Sequence, residues 1–315
     1  MSDKLHLIIP GAVLPHEAGA ALPPLPPLGP NLRALLAAMA PAERIECGED
    51  NPSAPYELAL AQANGLPGEP GYLPWAAFES GTVGLPCAFI QLCHWQVGAD
   101  HIMLSPPEQL AVDDATSLVL LAAMAPYFME DGITLQPYGK QPGTWLATGE
   151  VFRGLRCMSL DRLRGRRLTP ALLDAVGAPA ATLRRLQNEM QMLLYTHPAN
   201  DRRQQQGLGP VNSFWVTGAG VLERAIPVAT DVRIESRLLA PALRHDAAAH
   251  TQAWQDVDAD VCASLLALLR AGGEARLSLC GEHAAQGFVP AKTGFWRQFK
   301  QFLGLQPIWD GRSQL

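Results

Sequence analysis

The sequence predicts an α/β fold in which the two ends of the chain build one sheet-centred core around a smaller α+β insertion. Three observations carry that expectation. Leu5-His6-Leu7-Ile8-Ile9 is a short apolar run broken by Pro10-Gly11, as expected of a central strand covered on both faces. Ala275 to Cys280 reads as a strand near the other end, followed by a Gly281-Glu282-His283 turn. From about Gly81 the texture changes to short strands interleaved with helices. The expected division is residues 1–74 with 184–315 for the core and 75–183 for the insertion. A chain of 315 residues fits one large or two ordinary domains, and 48% hydrophobic residues supply a core.

In chain order, residues 22–30 (LPPLPPLGP) form a stiff proline-rich connection. Asn31 is expected to cap a helix running through Met39. A second helix spans Ala54 to Asn64 and stops before Gly65, with Pro67, Pro70 and Pro74 marking a boundary. Cys87 to Leu92 is a strand leading into a hairpin that turns at Gly98-Ala99-Asp100. Asp113 to Phe128 is a helix, with Val119, Leu120, Ala123, Met124 and Tyr127 as its apolar stripe. Ile133–Leu135 and Thr144–Thr148 are strands, and a helix follows Thr169. Leu186, Met190, Leu193 and Leu194 stripe a helix that ends near Tyr195, where His197-Pro198 stops it. Asn200 then caps a new helix, Gly207-Leu208-Gly209-Pro210 turns, and Ser213–Val216 forms a buried strand that leaves through Gly218-Ala219-Gly220. Ala229 to Leu239 fits a strand or a helix equally. Ala247 to Leu269 is a long helix with Trp254, Val257, Val261, Leu265 and Leu268 on one face, and Phe295 to Trp309 reads as a short aromatic helix.

Composition narrows the function classes. A net charge of -6 argues against a nucleic-acid-binding protein. The start of the chain lacks a signal-peptide pattern, and the longest apolar run, Leu118 to Ala125, is too short for a membrane span. A soluble cytoplasmic protein is the expectation, with no membrane partner. The six cysteines follow no paired zinc spacing, and Cys93-His94 with His101 fits no common zinc motif, so reduced, mostly buried thiols are expected. Charge is locally reversed in a cluster of Arg153, Arg156, Arg162, Arg164, Arg166 and Arg167, which suits bidentate pairing with phosphate or carboxylate, or simply a solvated face.

The most informative stretch is HPANDRRQQQGLGPVNSFWVTGAG, residues 197–220. It resembles a segment of the archaeal-type cofactor-independent phosphoglycerate mutases, where a His-Pro-x-Asn stretch leads to an Arg, a Gly, and an Asn-bearing strand ending in Gly-x-Gly. A second motif of that family, Asp-Arg-x-x-Gly-Arg, is matched in order and place by Asp161-Arg162-Leu163-Arg164-Gly165-Arg166. The resemblance is strongest over residues 80–220, and within it the chain is similar to a proteobacterial branch of phosphoglycerate-mutase-like, RpfE-type regulatory proteins. It implies an alkaline-phosphatase-like core sheet carrying an inserted α+β domain.

The resemblance also implies chemistry to compare with. The mutases hold two divalent metals with carboxylates and histidines and pass phosphate through a serine. Their first strand ends in a metal-binding Asp-Gly, where this chain has Pro10-Gly11. Their late Asp-x-x-x-His-x-x-Asp survives as Asp246 and His250, with Ala253 at the last carboxylate's place; Glu282-His283 stands where the family has Asp-His. Ser53 and Ser80 are the available serines. The expectation is a regulatory relative without cofactor that binds a phosphorylated or acidic small molecule through Arg162, Arg166, His197, Asn200, Arg202 and Asn212. The alternatives are a mutase or phosphatase with a rebuilt manganese or zinc site at Asp246, His250, Glu282 and His283, and a scaffold for a protein partner.

Overall fold

The structure is a computed structural model and describes residues 3–15, 28–97, 102–105, 107–139, 141–163 and 178–291. The first elements are β1 (Lys4–Pro10), α1 (Pro30–Ala38), β2 (Met39–Glu46) and α2 (Pro55–Asn64). Then come α3 (Trp75–Ser80), β3 (Cys87–Val97), β4 (Ile102–Ser105), α4 (Pro107–Leu110), α5 (Asp114–Glu130), β5 (Thr134–Pro137) and β6 (Thr144–Thr148). A 3-10 turn (Glu150–Phe152) precedes α6 (Leu160–Leu163), α7 (Ala178–Tyr195), α8 (Pro198–Gln205) and β7 (Ser213–Gly220). The chain closes with β8 (Val232–Ile234), α9 (Leu239–Leu243), α10 (Ala247–Val257), a π turn (Asp258–Cys262), α11 (Ala263–Arg270), β9 (Glu274–Cys280) and β10 (Ala284–Pro290). Two compact units result, residues 1–65 with 228–315 and residues 66–227.

The first unit has a five-stranded sheet in the order β2-β10-β9-β1-β8. β1 pairs in parallel with both β8 and β9, while β10 runs antiparallel between β9 and β2. Leu7 and Ile9 face a core with α1, α10 and α11, and Ile8 faces Ala59 of α2 on the other side. The strand is therefore apolar and buried from Leu7 to Ile9, as a parallel strand covered on both faces must be. α1 starts after Gly29 rather than at Asn31, with Pro30 at the first position. Its N-terminal cap is supplied by Asp258 in the π turn. The carboxylate accepts from the backbone N–H of Leu32 (2.7 Å) and Asn31 (3.2 Å). A Cβ on Gly29 would lie 2.2 Å from that carboxylate carbon, so the approach depends on glycine.

The second unit has an antiparallel sheet in the order β4-β3-β6-β5, with β7 also paired to β3. Leu120, Met124 and Phe128 of α5 and Leu186, Met190 and Leu194 of α7 share its main core with Ile90, Trp145 and Phe214. Cys93, Trp95 and Trp215 belong to a separate cluster with Leu163 of α6.

Several expectations change. β7 completes the antiparallel sheet by pairing with β3, and the compact units divide at 66 and 227. β2, α3 and β10 were not foreseen, and Ala229–Leu239 resolves into β8 with its following turn. The buried stripe of α5 is Ser117, Leu120, Met124 and Phe128, whereas Val119 is 41% exposed. The proline run at 22–27, the turn at Gly98-Ala99-Asp100, Arg164, Arg166 and Arg167, the start of the helix after Thr169, and the tail at Phe295–Trp309 lie outside the described residues. Among the described residues no helix is long and apolar enough to cross a membrane.

Candidate functional site

The residues singled out from the sequence sort into the two units. His197, Asn200, Arg202, Asn212 and Arg162 all lie in the second unit, and Asp246, His250, Glu282 and His283 all lie in the first.

In the second unit, His197 is the N-cap residue of α8: its Nδ1 accepts from the Ala199 N–H at 3.2 Å, and Pro198 takes the first helical position. The cap is therefore His197 and not Asn200. Asn200 lies inside α8 with its amide fully engaged by the backbone. Nδ2 donates to the carbonyls of Leu194 (2.8 Å) and Val211 (2.7 Å), and Oδ1 accepts from the Val211 N–H (2.9 Å). Asn212 extends the β3–β7 ladder by one side-chain rung. Its Oδ1 accepts from the Trp95 N–H (2.7 Å), and its Nδ2 donates to the Trp95 carbonyl (2.9 Å). An amide can satisfy a backbone N–H and C=O at once, which is what the end of a ladder requires.

The two arginines of α8 separate by helical position. Arg202 points outward and is exposed, while Arg203 shares the inward side with Ala199 and Asn200 and is buried. Arg203 donates to the carbonyls of Gly209 (2.9 Å) and Leu110, and burial lowers its pKa. The arginine cluster divides too. Arg153 pairs on the surface with Glu150 and Glu223, and Arg162 is buried in α6. Gly218 and Gly220 have a packing reason. A Cβ on either would lie 2.8 Å from Trp75 or Pro74 at the start of α3, so the Gly-x-Gly admits a helix.

In the first unit, the carboxyl end of β1 is where ligands of an open α/β sheet sit. Here protein side chains occupy its carbonyls. His250 of α10, with no solvent exposure, bonds the Gly11 carbonyl through Nε2 at 2.8 Å, and Trp254 Nε1 donates to the Ala12 carbonyl at 3.2 Å. Burial pushes the His250 pKa down, so the imidazole is neutral with its proton on Nε2, and Nδ1 is buried without a hydrogen-bond partner. Asp246 is the N-cap of α10 and accepts from the Ala249 N–H at 2.9 Å. Glu282 and His283 sit on the turn between β9 and β10, 3.9 Å apart. Among the described residues no three His, Cys, Asp or Glu side chains converge as a metal would need, so the four residues of the alternative metal set do not form such a group.

Sequence reading missed the ionic groups at the end of β8. Glu235, 5% exposed, takes two charge-assisted bonds from Arg237 at 2.8 Å, and Arg237 bonds Asp260 at 2.8 and 2.9 Å. The hydrogen bond from Arg237 holds the Glu235 carboxyl below its ordinary range. No spacing rule announces this set, because Asp260 comes from the π turn.

Nucleophile chemistry finds little support in these groups. Ser53 is buried ahead of α2, with its N–H on Asn51 Oδ1, and Ser80 Oγ donates to the Ala76 carbonyl. The six cysteines are free and mostly buried; burial raises Cys87 to about 11 and Cys157 and Cys262 to about 12, so these three stay thiols at neutral pH.

No family model matches the sequence, and no curated protein does. Among solved structures, the chain is similar to a cofactor-independent phosphoglycerate mutase from Thermoplasma acidophilum. The identity is 14%, the TM-score 0.34, and the match covers 92% of this chain and 90% of that one. A protein from Pyrococcus horikoshii is similar at 13% identity with a TM-score of 0.39, over 92% of this chain and 88% of that one.

Proposed function

We propose that this protein is a phosphoglycerate-mutase-like chain without the two-metal phosphotransfer of that family, acting as a regulatory protein that binds a phosphorylated or acidic small molecule. One observation carries the reading. The carbonyls that follow β1, where the mutase pattern calls for a metal-binding aspartate, are held by His250 and Trp254. A group that must be free to bind metal cannot also serve as a buried latch, and a site lacking its ligands loses most of its activity.

The anion contacts are assigned to exposed Arg202 of α8 and to His197 at its start; Arg162 is left out because it is buried, and Arg166 lies outside the described residues. Asn200 and Asn212 are left out because backbone groups occupy their amides. The test combines two measurements on the full chain. Conversion of 3-phosphoglycerate to 2-phosphoglycerate is assayed with manganese or zinc, and no turnover above buffer is expected. Thermal shift with the same phosphoglycerates is expected to rise and to be lost in Arg202→Gln. Metal-dependent turnover overturns the first half of the reading. A shift that Arg202→Gln leaves intact overturns the assignment of the anion site.

A further inference from the structure

α5 is unusual for a helix with a solvent face. From Ala115 to Met129 it carries no charged residue. Its inward stripe is Ser117, Leu120, Met124 and Phe128, yet its outward side is apolar as well. Leu118 is 53% exposed, Val119 41% and Met129 68%, with Ala115, Ala122 and Pro126 exposed between them. A surface helix ordinarily places charged and polar residues there, and an apolar stripe rimmed by polar groups marks an interaction surface.

Two further features describe what fits. Pro126 has no N–H, so the Ala122 carbonyl one turn earlier loses its helical donor, in the middle of the exposed stripe. The stripe is also acidic at both ends. Asp113 and Asp114 stand at its start and Glu130 at its finish, with Asp131 already paired to Arg185. A second copy of α5 laid along this face, in either direction, would bring acidic ends against acidic ends.

We propose that the outward face of α5 docks an amphipathic helix of another protein, with an apolar face and Lys or Arg at both ends of it. The apolar side chains cover Leu118, Val119, Ala122 and Met129, and the basic ends meet Asp113, Asp114 and Glu130. Such complementarity sets orientation and discriminates against acidic partners.

The test uses the full chain and two synthetic helical peptides about five turns long, matching α5. They share one leucine face; one peptide has a lysine pair at each end and the other a glutamate pair. Fluorescence anisotropy is expected to show the lysine-ended peptide binding at least about tenfold tighter, with the margin shrinking at high salt. Leu118→Gln with Met129→Gln is expected to weaken that binding at least about tenfold while leaving the circular dichroism unchanged. If the pair of substitutions disturbs folding, Val119→Gln carries the same expectation. Equal affinity for both peptides, no binding of either, or binding indifferent to these substitutions overturns the proposal. So does a dimer in light scattering that the same substitutions dissolve, because a second copy would then cover the face.

Discussion

The two sheets finish their strands with different side chains. At the end of β1, an imidazole and an indole from α10 reach down to the Gly11 and Ala12 carbonyls. Around the start of β7, the amides of Asn200 and Asn212 do comparable work for Leu194, Val211 and Trp95. The amide carries both a donor and an acceptor, so it matches the peptide group and leaves nothing over. A neutral imidazole makes one bond to a carbonyl and leaves Nδ1 buried without a partner. The second unit's latches are therefore saturated and independent of pH. The first unit's latch leaves one ring nitrogen unpartnered, and charging its buried imidazole carries a desolvation cost.

The contrast can be sharpened by substitution. The largest effect is expected for Asn200→Ala, which strands the buried Val211 N–H and carbonyl and takes one donor from Leu194, and should cost about 3 kcal/mol in urea denaturation. A loss below about 1 kcal/mol would mean that water replaces the amide readily. Next comes Asp258→Ala, expected to cost about 2 kcal/mol by uncapping α1, and visible as faster hydrogen exchange at Asn31 and Leu32. Asn212→Ala should cost about 1 kcal/mol, because its rung lies in a half-buried position.

The smallest effect is the pH dependence of the β1 latch. The His250 pKa is lowered in the fold from 6.5, so between the lowered value and 6.5 the unfolded chain binds a proton that the folded chain refuses. Its contribution is present above pH 6.5 and is lost as pH falls below it. The stability advantage of the natural protein over His250→Gln should thus shrink between pH 7.5 and 5. Burial also lowers His6 and His94, but both are common to the two proteins and cancel in the difference. An advantage constant with pH would break the comparison.

How much of this was legible in the sequence follows from where each signal resides. β1, α2 and β9 are marked by local runs and by glycine or proline at their ends. β2 is an edge strand with a proline and solvent-facing charges, so it shows neither an apolar run nor clean alternation. β10 is interrupted by an irregularity between Gln286 and Phe288. The cap of α1 comes from a residue 227 positions away, which no local rule can find. α5 was legible as a helix but not in orientation, since both of its sides are apolar. The roles of the candidate site residues are hidden for a different reason. Asn200, Asn212 and His250 are residue types that serve ligands and backbone equally, and a backbone partner leaves no signature of its own in a sequence. Among neighbouring arginines, only the helical phase of α8 separates exposed Arg202 from buried Arg203.

The central claim is that the metal-type residues of the first unit serve the fold. Its most direct test is the metal content of the full chain after incubation with manganese or zinc and removal of excess by gel filtration. Well under one equivalent is expected, unchanged by His283→Ala. One or two equivalents of metal, lost in Asp246→Ala or His283→Ala, would contradict it.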